Sequence, residues 1–344
     1  MHVPDGFINA PTSAVTGVVA AGAVAVSLRG ARKELDERTA PLAGLVAAFI
    51  FAVQMLNFPV AAGTSGHLLG GALAAILVGP YTGVLCVSVV LLMQGILFAD
   101  GGLTALGVNI TDMAVVTTVV AYAVFRGLVK VLPRGRRTVT AASFVAALLS
   151  VPAAAAAFTL LYAVGGTTNV SLGKVAGAMI GVHVLIGIGE AAITALTVGA
   201  VIAVRPDLVY GARGLRAPLK LRVGGELVDA APTPASSSSG STPAISRRGL
   251  WIGGLAASLL LAGVVSFYAS ANPDGLEKVA ADKGLDTKVE EHAAADSPLA
   301  DYGVKDVENA RLSGGLAGVI GVSVTVVAGT GVFWAVRRRR AEDA

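Results

Sequence analysis

The first two residues of the chain carry the groups needed to chelate a metal ion. Met1 is expected to be retained because initiator methionine is removed before small residues, and His2 is bulky. The free amine, the His2 backbone nitrogen and the His2 imidazole can then close around one ion as adjacent chelate rings. The backbone nitrogen must lose its proton to bind, which Cu(II) and Ni(II) promote best, and both suit tetragonal nitrogen sites. Co(II) is also possible, whereas Zn(II) and Mg(II) fit poorly.

A fourth nitrogen is needed to complete a square, and His67 is the candidate. It lies in the glycine-rich run Gly63–Gly71 and is expected to begin an apolar segment on the same side as Met1. The glycines on both sides allow one backbone to approach another closely. From these residues alone, an alternative stays open: His67 caps a helix and His2 is exposed.

Three amides lie within or at the ends of apolar segments, namely Gln54, Asn57 and Gln94. A buried amide is costly unless it has a hydrogen-bond partner. These side chains either orient His2 and His67 from behind or bond helices together, and the sequence favours neither role.

Ionisable side chains also occur inside the apolar segments. His183 and Glu190 are seven residues apart, so two helical turns place them on one face. An ionisable pair inside a membrane suggests a function, here support of the metal ligands or metal access, but helix–helix bonding explains it equally well. Asn109 and Asp112 are predicted to cap a helix, and His292, in an acidic loop, is predicted to be exposed.

The composition indicates that most of the chain lies in lipid. The chain has 344 residues, of which 54% are hydrophobic and 14% charged, and its mean hydropathy is +0.74. A soluble domain carries about 25% charged residues. Basic residues occur in short clusters beside apolar runs, which argues against nucleic-acid binding.

Cys86 is the only cysteine, which excludes a disulfide framework and a thiolate metal cluster. The first residues do not resemble a signal peptide.

Apolar runs of about the 20 residues needed to span a membrane predict an all-α polytopic membrane protein. The region 67–98 is broken at Gly79-Pro80, which predicts a short helix, a turn and a full span. Nine membrane segments result, seven in the first domain and two in the second. The other runs lie near 10–28, 41–60, 108–125, 139–164, 175–204, 250–269 and 314–336.

The basic residues predict the orientation of these segments. If the amino terminus is outside, 20 of the 26 Lys and Arg residues fall on the cytoplasmic side. Cytoplasmic loops carry such an excess of positive charge, so the carboxyl terminus is predicted to be cytoplasmic. The cytoplasmic stretches are 29–40, 126–138, 205–223, 247–248 and 337–340.

A composition change divides the chain in two. Residues 224–246 are rich in Pro and Ser, which predicts a disordered linker between domains 1–223 and 247–344. The second domain contains an extracellular loop, 270–313, with ten acidic and five basic residues. Its net charge of −5 would attract cations, and its 44 residues are enough to cover another part of the protein. A solvated spacer is the alternative.

Five separate motifs, in order, resemble the CbiM/NikM family, the membrane substrate-binding subunits of cobalt and nickel energy-coupling-factor importers. In the second domain, Pro273–Glu277 (PDGLE) resembles the small CbiN/NikN partner subunit, so the chain resembles a fusion of the two. The five motifs are Met1–Gly6 (MHVPDG), Gln54–Pro59 (QMLNFP), Gly63–Gly71 (GTSGHLLGG), Gln94–Asn109 (QGILFADGGLTALGVN) and His183–Glu190 (HVLIGIGE).

The resemblance implies a seven-segment bundle like that of a substrate-capture (S) component, joined to a two-helix module. It implies that the Met1 amine, the His2 amide and imidazole nitrogens and the His67 imidazole bind Co²⁺ or Ni²⁺ as transported substrate. No organic cofactor is implied. The family works with a transmembrane coupling (T) subunit and cytoplasmic ABC ATPases, and this sequence contains no GxxxxGK[ST] phosphate loop of its own.

Two other classes of function are alternatives to a metal importer subunit. The first is an ATP-independent secondary transporter in which His183 and Glu190 exchange protons. The second is an intramembrane metalloprotease, which lacks support because the sequence has no HExxH motif. The sequence does not choose between cobalt, for cobalamin synthesis, and nickel, for nickel enzymes.

Overall fold

A computed structural model describes residues 1–35, 39–61, 63–215, 220–223, 226–229 and 246–342. Helices dominate, and the strands form two short hairpins. A π-helical stretch, Ile110–Val116, joins α5 to α6, so that one helix runs continuously over Leu106–Val131. The elements are α1 Ala10–Glu34, α2 Ala40–Gln54, β1 Phe58–Ala61, β2 Thr64–Gly66, α3 Gly71–Val78, α4 Pro80–Leu97, α5 Leu106–Asn109, α6 Thr117–Val131, α7 Arg136–Gly165, α8 Leu172–Val204, β3 Lys220–Val223, β4 Glu226–Asp229, α9 Arg247–Gly263, α10 Gly275–Lys283 and α11 Ala310–Glu342.

The described residues include seven helices long and apolar enough to cross a membrane. Large apolar side chains on their outer faces are exposed, among them Val18, Val164, Leu196 and Val327. Such faces are stable against lipid, and helices satisfy their own backbone hydrogen bonds there. The predicted all-α polytopic membrane fold is confirmed.

Two further apolar helices are too short to cross a membrane by themselves. All eight residues of α3 are buried, so this helix is enclosed by its neighbours. The sequence predicted a short helix here, and a helix too short to span the membrane needs such enclosure. The predicted segment 41–60 is wrong over its last residues, because α2 ends at Gln54. Pro59 cannot continue a helix, and β1 instead pairs antiparallel with β2. This hairpin leads directly to His67.

The predicted break at Gly79-Pro80 is confirmed and has a clear cause. Gly79 has a φ of 108°, and a Cβ there would lie 2.5 Å from the Glu34 carboxyl carbon. Pro80 takes the first position of α4, where its missing N–H costs nothing. The Glu34 carboxylate accepts hydrogen bonds from the backbone nitrogens of Tyr81 and Thr82, which satisfies the start of α4.

The second domain packs on the first through its two long helices. α9 and α11 contact α2 and each other, and α10 contacts α8 and β2. Part of the predicted linker differs from the expectation, because Glu226–Asp229 pairs with Lys220–Val223 as an antiparallel hairpin. Most of the remaining linker lies outside the described residues, so its disorder stays a prediction.

Candidate metal centre

The amino terminus is buried at one end of the bundle. Met1 is 3% exposed and Val3 is fully buried. The Asn109 side chain clamps the Val3 backbone: Val3 N donates to Oδ1 at 2.7 Å, and Nδ2 donates to Val3 O at 3.1 Å. The Asp5 carboxylate accepts from the Thr104 backbone nitrogen at 2.8 Å. Together these bonds fix the backbone on which the amine and the His2 amide lie.

The predicted capping roles of Asn109 and Asp112 are therefore wrong. Asn109 forms the Val3 clamp and caps no helix. Asp112 lies inside the π-helical stretch, 1% exposed, and neither carboxylate oxygen has a hydrogen-bond partner among the described residues. An amide at the end of an apolar segment signals that a partner exists, but it does not say that the partner is the amino terminus.

Replacing Asn109 with Ala should lower both stability and metal affinity. The buried Val3 N–H would lose its acceptor, which costs about 1–3 kcal/mol, and the His2 amide would lose its fixed position. Thermal unfolding and metal titration on the same sample measure the two effects. Asn9→Ala is the matched control, because Asn9 accepts from Thr12 N at the start of α1 and its loss costs about 1 kcal/mol. Equal losses of metal affinity in both variants would refute the positioning role.

The His67 imidazole presents a free lone pair to the Met1 amine. Its Nδ1 lies 3.0 Å from the Leu68 carbonyl oxygen. A carbonyl only accepts, so Nδ1 carries the ring proton and Nε2 carries the lone pair. Nε2 lies 2.7 Å from the Met1 nitrogen.

Two of the predicted supporting residues hold the backbone just after His67. The Glu190 carboxylate accepts from Leu69 N at 2.5 Å and from Gly70 N at 2.9 Å, and Gln54 Nε2 donates to Leu69 O at 3.0 Å. Both side chains are buried. A carboxylate that receives two backbone N–H groups fixes this stretch and, through it, the direction of the imidazole.

The His2 ring stacks over His67, with 5.2 Å between centroids and 21° between planes. Its Nε2 lies 3.1 Å from Gln94 Oε1, and its Nδ1 lies 3.2 Å from Asp100 Oδ1. Burial lowers the pKa of His2 to about 4, although Asp100 acts in the opposite direction. The ring is therefore neutral at pH 7. It carries one proton, so one ring nitrogen is left as a metal donor.

Sequence reasoning missed Asp100 and Tyr302, which complete a ring of side chains behind His2. The Tyr302 hydroxyl donates to Asp100 Oδ2 at 2.5 Å and accepts from Gln94 Nε2 at 2.9 Å. Burial, followed by the nearby Asp100 charge, raises the pKa of Tyr302 well above its usual value, so the hydroxyl keeps its proton. Because Tyr302 belongs to the second domain, that domain helps to orient His2.

Asp274, also missed from the sequence, brings a carboxylate of the second domain into the site. Its Oδ2 lies 2.5 Å from the Met1 nitrogen and 3.4 Å from His67 Nε2. Burial acts to raise the pKa of Asp274, but nearby positive charge, chiefly that of the amine, outweighs burial and holds that pKa well below its usual value. Donor atoms of His2, His67 and Asp274 all lie within 4.8 Å of one another.

The position of Asp274 follows from a helix start. Its Oδ1 accepts from Glu277 N at 2.8 Å, and Glu277 Oε2 accepts from Asp274 N at 2.9 Å. This reciprocal pair is a capping box that begins α10. It holds one carboxylate oxygen and leaves the other to face the amine. In the sequence, the acidic PDGLE motif was the feature that could have identified Asp274 as a candidate.

The remaining two predicted supporting residues do not contact the donors through hydrogen bonds. In the described part of the chain, neither His183 nor Asn57 forms a hydrogen bond to Met1, His2 or His67. His183 Nδ1 donates to the Met179 carbonyl of its own helix at 2.7 Å, and its Nε2 has no partner in that part. The Asn57 backbone carbonyl accepts from the second domain, from Ser270 N at 2.7 Å.

His292 is half-buried, so its predicted exposure is wrong. Its Nε2 lies 3.2 Å from the Gly101 carbonyl oxygen. Gly101 has a φ of 80°, and a Cβ there would lie 3.3 Å from His2 Cβ. His292 therefore contacts the Gly101 backbone and does not join the donor cluster.

The acidic loop lies over the metal centre. It therefore covers part of the first domain and is not a solvated spacer. Ser65 N donates to Pro273 O at 2.9 Å, Glu290 N to Asp5 O at 3.1 Å, and Asp301 N to the Phe98 carbonyl at 3.0 Å. A cavity of about 780 Å³ remains between loop and bundle, lined by His2, His67, Asp100, Asp274 and Tyr302 among others. An ion can therefore reach the donors beneath the loop.

Two family models match the chain. Residues 2–208 match CbiM, described as the cobalt uptake substrate-specific transmembrane region, and residues 248–338 match the PDGLE domain. The interval between the two matches, from 208 to 248, includes the Pro- and Ser-rich stretch 224–246.

Relatives and a solved structure agree with the family models. The cobalt transport protein CbiM 1 of Pelobacter propionicus is 35% identical over 206 residues, 59% of this chain and 91% of that protein. The fused nickel transport protein NikMN of Rhodobacter capsulatus is 45% identical over 125 residues, 36% of each chain. The crystal structure of a truncated transition metal transporter matches with a TM-score of 0.52 and 28% identity, over 59% of this chain and 99% of that one. The chain therefore belongs to the CbiM family of cobalt uptake substrate-specific transmembrane regions, with a PDGLE domain joined to it.

Proposed function

We propose that this protein captures Co²⁺ or Ni²⁺ as the S component of an ATP-driven energy-coupling-factor importer. It is a transporter subunit, not an enzyme, and the ion is its substrate. One observation carries the proposal: the Met1 nitrogen lies 2.7 Å from His67 Nε2 beneath the stacked His2 ring. Metal–nitrogen bonds are about 2.0 Å long, so neighbouring corners of a nitrogen square lie roughly 2.8 Å apart.

The proposed ligands are the Met1 amine, the His2 amide and imidazole nitrogens, and His67 Nε2. Binding requires the amine to lose its extra proton and the amide to lose its proton. The divalent ion then faces one amide anion and the Asp274 carboxylate, with the Asp100 carboxylate behind His2. A buried charge is tolerated only when it is compensated, so these anionic groups support cation binding at this site.

Asp274 supplies a loading step in this proposal. Without metal, it forms an ion pair with the protonated amine at 2.5 Å. An arriving cation is attracted by the carboxylate and takes the place of the ammonium proton, which is released to solvent together with the amide proton. The amine then becomes a ligand, and Asp274 becomes the counter-charge of the ion. The second domain in this way takes part in capture without replacing any of the four nitrogens.

The importer would also need a T subunit and cytoplasmic ABC ATPases, with the amino terminus of this chain outside the plasma membrane and the carboxyl terminus in the cytoplasm. The basic stretches support that orientation. In the rival secondary transporter, Glu190 would exchange protons with His183. Its two bonds to Leu69 N and Gly70 N instead support a bracing role. Metal uptake by vesicles that contain this chain and no ATPase would favour the rival.

His67→Ala should weaken metal binding at least tenfold, about 1.4 kcal/mol, because one of four donors is lost and three remain. Titration of purified protein with Ni²⁺ and with Co²⁺ measures the effect, and metal analysis of the protein as isolated shows which ion it retains. His292→Ala is the control, because that imidazole contacts Gly101 and not the donors. Equal losses from both variants would show that the loop holds the ion and would contradict the nitrogen square.

A further inference from the structure

A second cavity, lined by basic side chains, lies among the helices away from the metal centre. Its volume is about 640 Å³, and it is bounded by the last turns of α6, the start of α7 and the 3-10 segment Tyr210–Leu215. Four cationic side chains line it: Arg126, Lys130, Arg134 and Arg213. Its described lining includes no carboxylate.

The cavity lies near the membrane surface opposite the metal centre. Asn109 marks the metal end, since it clamps Val3, and Arg126 lies 17 residues further along one continuous helix. At 1.5 Å per residue, this is about 25 Å. The hydrocarbon core of a bilayer is about 30 Å thick, so the cations lie at the depth of lipid headgroups.

Contacts within the protein hold one wall of the cavity in place. The Arg213 guanidinium lies 4.3 Å above the Tyr210 ring, and its Nη2 donates to the Glu34 carbonyl oxygen at 3.4 Å. The Tyr210 ring lies 6.2 Å from that of Tyr122, which also lines the cavity. A guanidinium has five N–H donors in a rigid plane, so stacking on Tyr210 sets the plane and leaves donors for an anion.

The cavity has a surplus of positive charge. In the part of the chain that the structure describes, Arg126, Lys130 and Arg134 form no ion pair. Glu34 does not line the cavity, and its carboxylate is directed to the start of α4, where it accepts from Thr82 N and Thr82 Oγ1, both at 2.8 Å. Several cations around one concave space repel each other, and a bound anion relieves that repulsion.

The surroundings favour an anion that carries an apolar part. Val129 and Val139 contribute to the cavity wall, and the neighbouring Val131 and Leu132 are 76% and 42% exposed. A soluble anion gains nothing from such side chains, whereas acyl chains do. Basic pockets between membrane helices bind anionic lipid headgroups, and arginine pairs with phosphate through two parallel hydrogen bonds.

We propose that this cavity binds the phosphate of an anionic glycerophospholipid. Arg126, Arg134 and Arg213 contact the phosphate oxygens, and the acyl chains lie along the apolar rim beside Val131. The bound lipid ties α6 and α7 to the segment that follows α8, and it stabilises the end of the bundle that faces away from the metal.

The test is lipid titration of the delipidated full chain, read by native mass spectrometry and thermal unfolding. The probes are phosphatidylglycerol, zwitterionic phosphatidylcholine and inorganic phosphate at matched concentrations. Phosphatidylglycerol should bind and raise the unfolding temperature, and phosphatidylcholine should not. The double variant R126A/R134A should bind phosphatidylglycerol at least tenfold more weakly. Arg29→Ala is the control, a cation at the same end of the bundle that does not line the cavity.

Unchanged phosphatidylglycerol binding in R126A/R134A would overturn the proposal. Equal stabilisation by inorganic phosphate would also overturn it, in favour of a soluble anion. Loss of coupling-subunit binding by the double variant, without any change in lipid binding, would identify an acidic protein partner and overturn it as well. If R126A/R134A does not fold, Arg134→Gln alone, at an exposed position between two helices, provides the same comparison with a smaller expected loss.

Discussion

Acetylation of the Met1 amine should weaken Ni²⁺ or Co²⁺ binding at least a thousandfold, about 4 kcal/mol. An amide nitrogen in place of the amine is a poor donor, so the first chelate ring cannot close. The ion pair with Asp274, at 2.5 Å in the unmodified chain, is lost at the same time. Every side chain of the site remains in place, which makes the modification specific for the proposed ligand. Co-expression with an Nα-acetyltransferase, which acts before the amine is buried, and metal titration of the purified product provide the measurement.

The unmodified fraction of the same preparation is the control for acetylation. His2→Gln is a complementary variant, because it retains a bulky second residue and the amine but removes the imidazole. It should show a comparably large loss. Thermal unfolding of each form without metal distinguishes a damaged bundle from a missing ligand. A folded, fully acetylated chain with unchanged affinity would exclude the amine as a ligand, whatever role His67 has.

Asp274→Asn should slow metal uptake at least thirtyfold, about 2 kcal/mol in the barrier to loading. The change removes the negative charge that faces the amine and attracts the incoming divalent ion. Opposite charges about 4 Å apart at a partly buried site attract by roughly 4 kcal/mol, and desolvation offsets part of that. Asparagine caps helices as well as aspartate does, so α10 should still begin at the same place. Uptake of metal by cells that also contain the coupling and ATPase subunits measures the rate.

Equilibrium affinity should change much less in Asp274→Asn, by less than about tenfold. Two effects oppose each other here: the bound ion loses a counter-charge, while the amine loses the ion pair that an incoming ion must displace. The matched control is Glu277→Gln. It removes one charge three residues away and retains the capping box, which glutamine also forms. Equal slowing by both variants would show that only the net charge of the loop matters. Complete loss of binding by Asp274→Asn would instead make Asp274 a required ligand.

Part of this protein could be predicted from the sequence because it depends on local chemistry. Met1 and His2 are covalent neighbours, so their nitrogens can form chelate rings whatever the rest of the chain does. The transmembrane helices were recognisable because lipid requires about 20 consecutive apolar residues. The Gly79-Pro80 break was recognisable because few other residues tolerate that backbone. A buried polar side chain such as Gln94 also indicated that a partner exists.

Only the tertiary structure showed which partners these are. The Met1 amine meets Asp274, 273 residues away in the sequence, and Gln94 meets Tyr302, 208 residues away. Asn109, expected at a helix start, instead clamps Val3. Apolar periodicity shows which faces are buried, but many packing arrangements bury the same area, and they bring different polar groups together. The register between the two domains, set by the packing of their helices and by α10, is what places a carboxylate beside the amine.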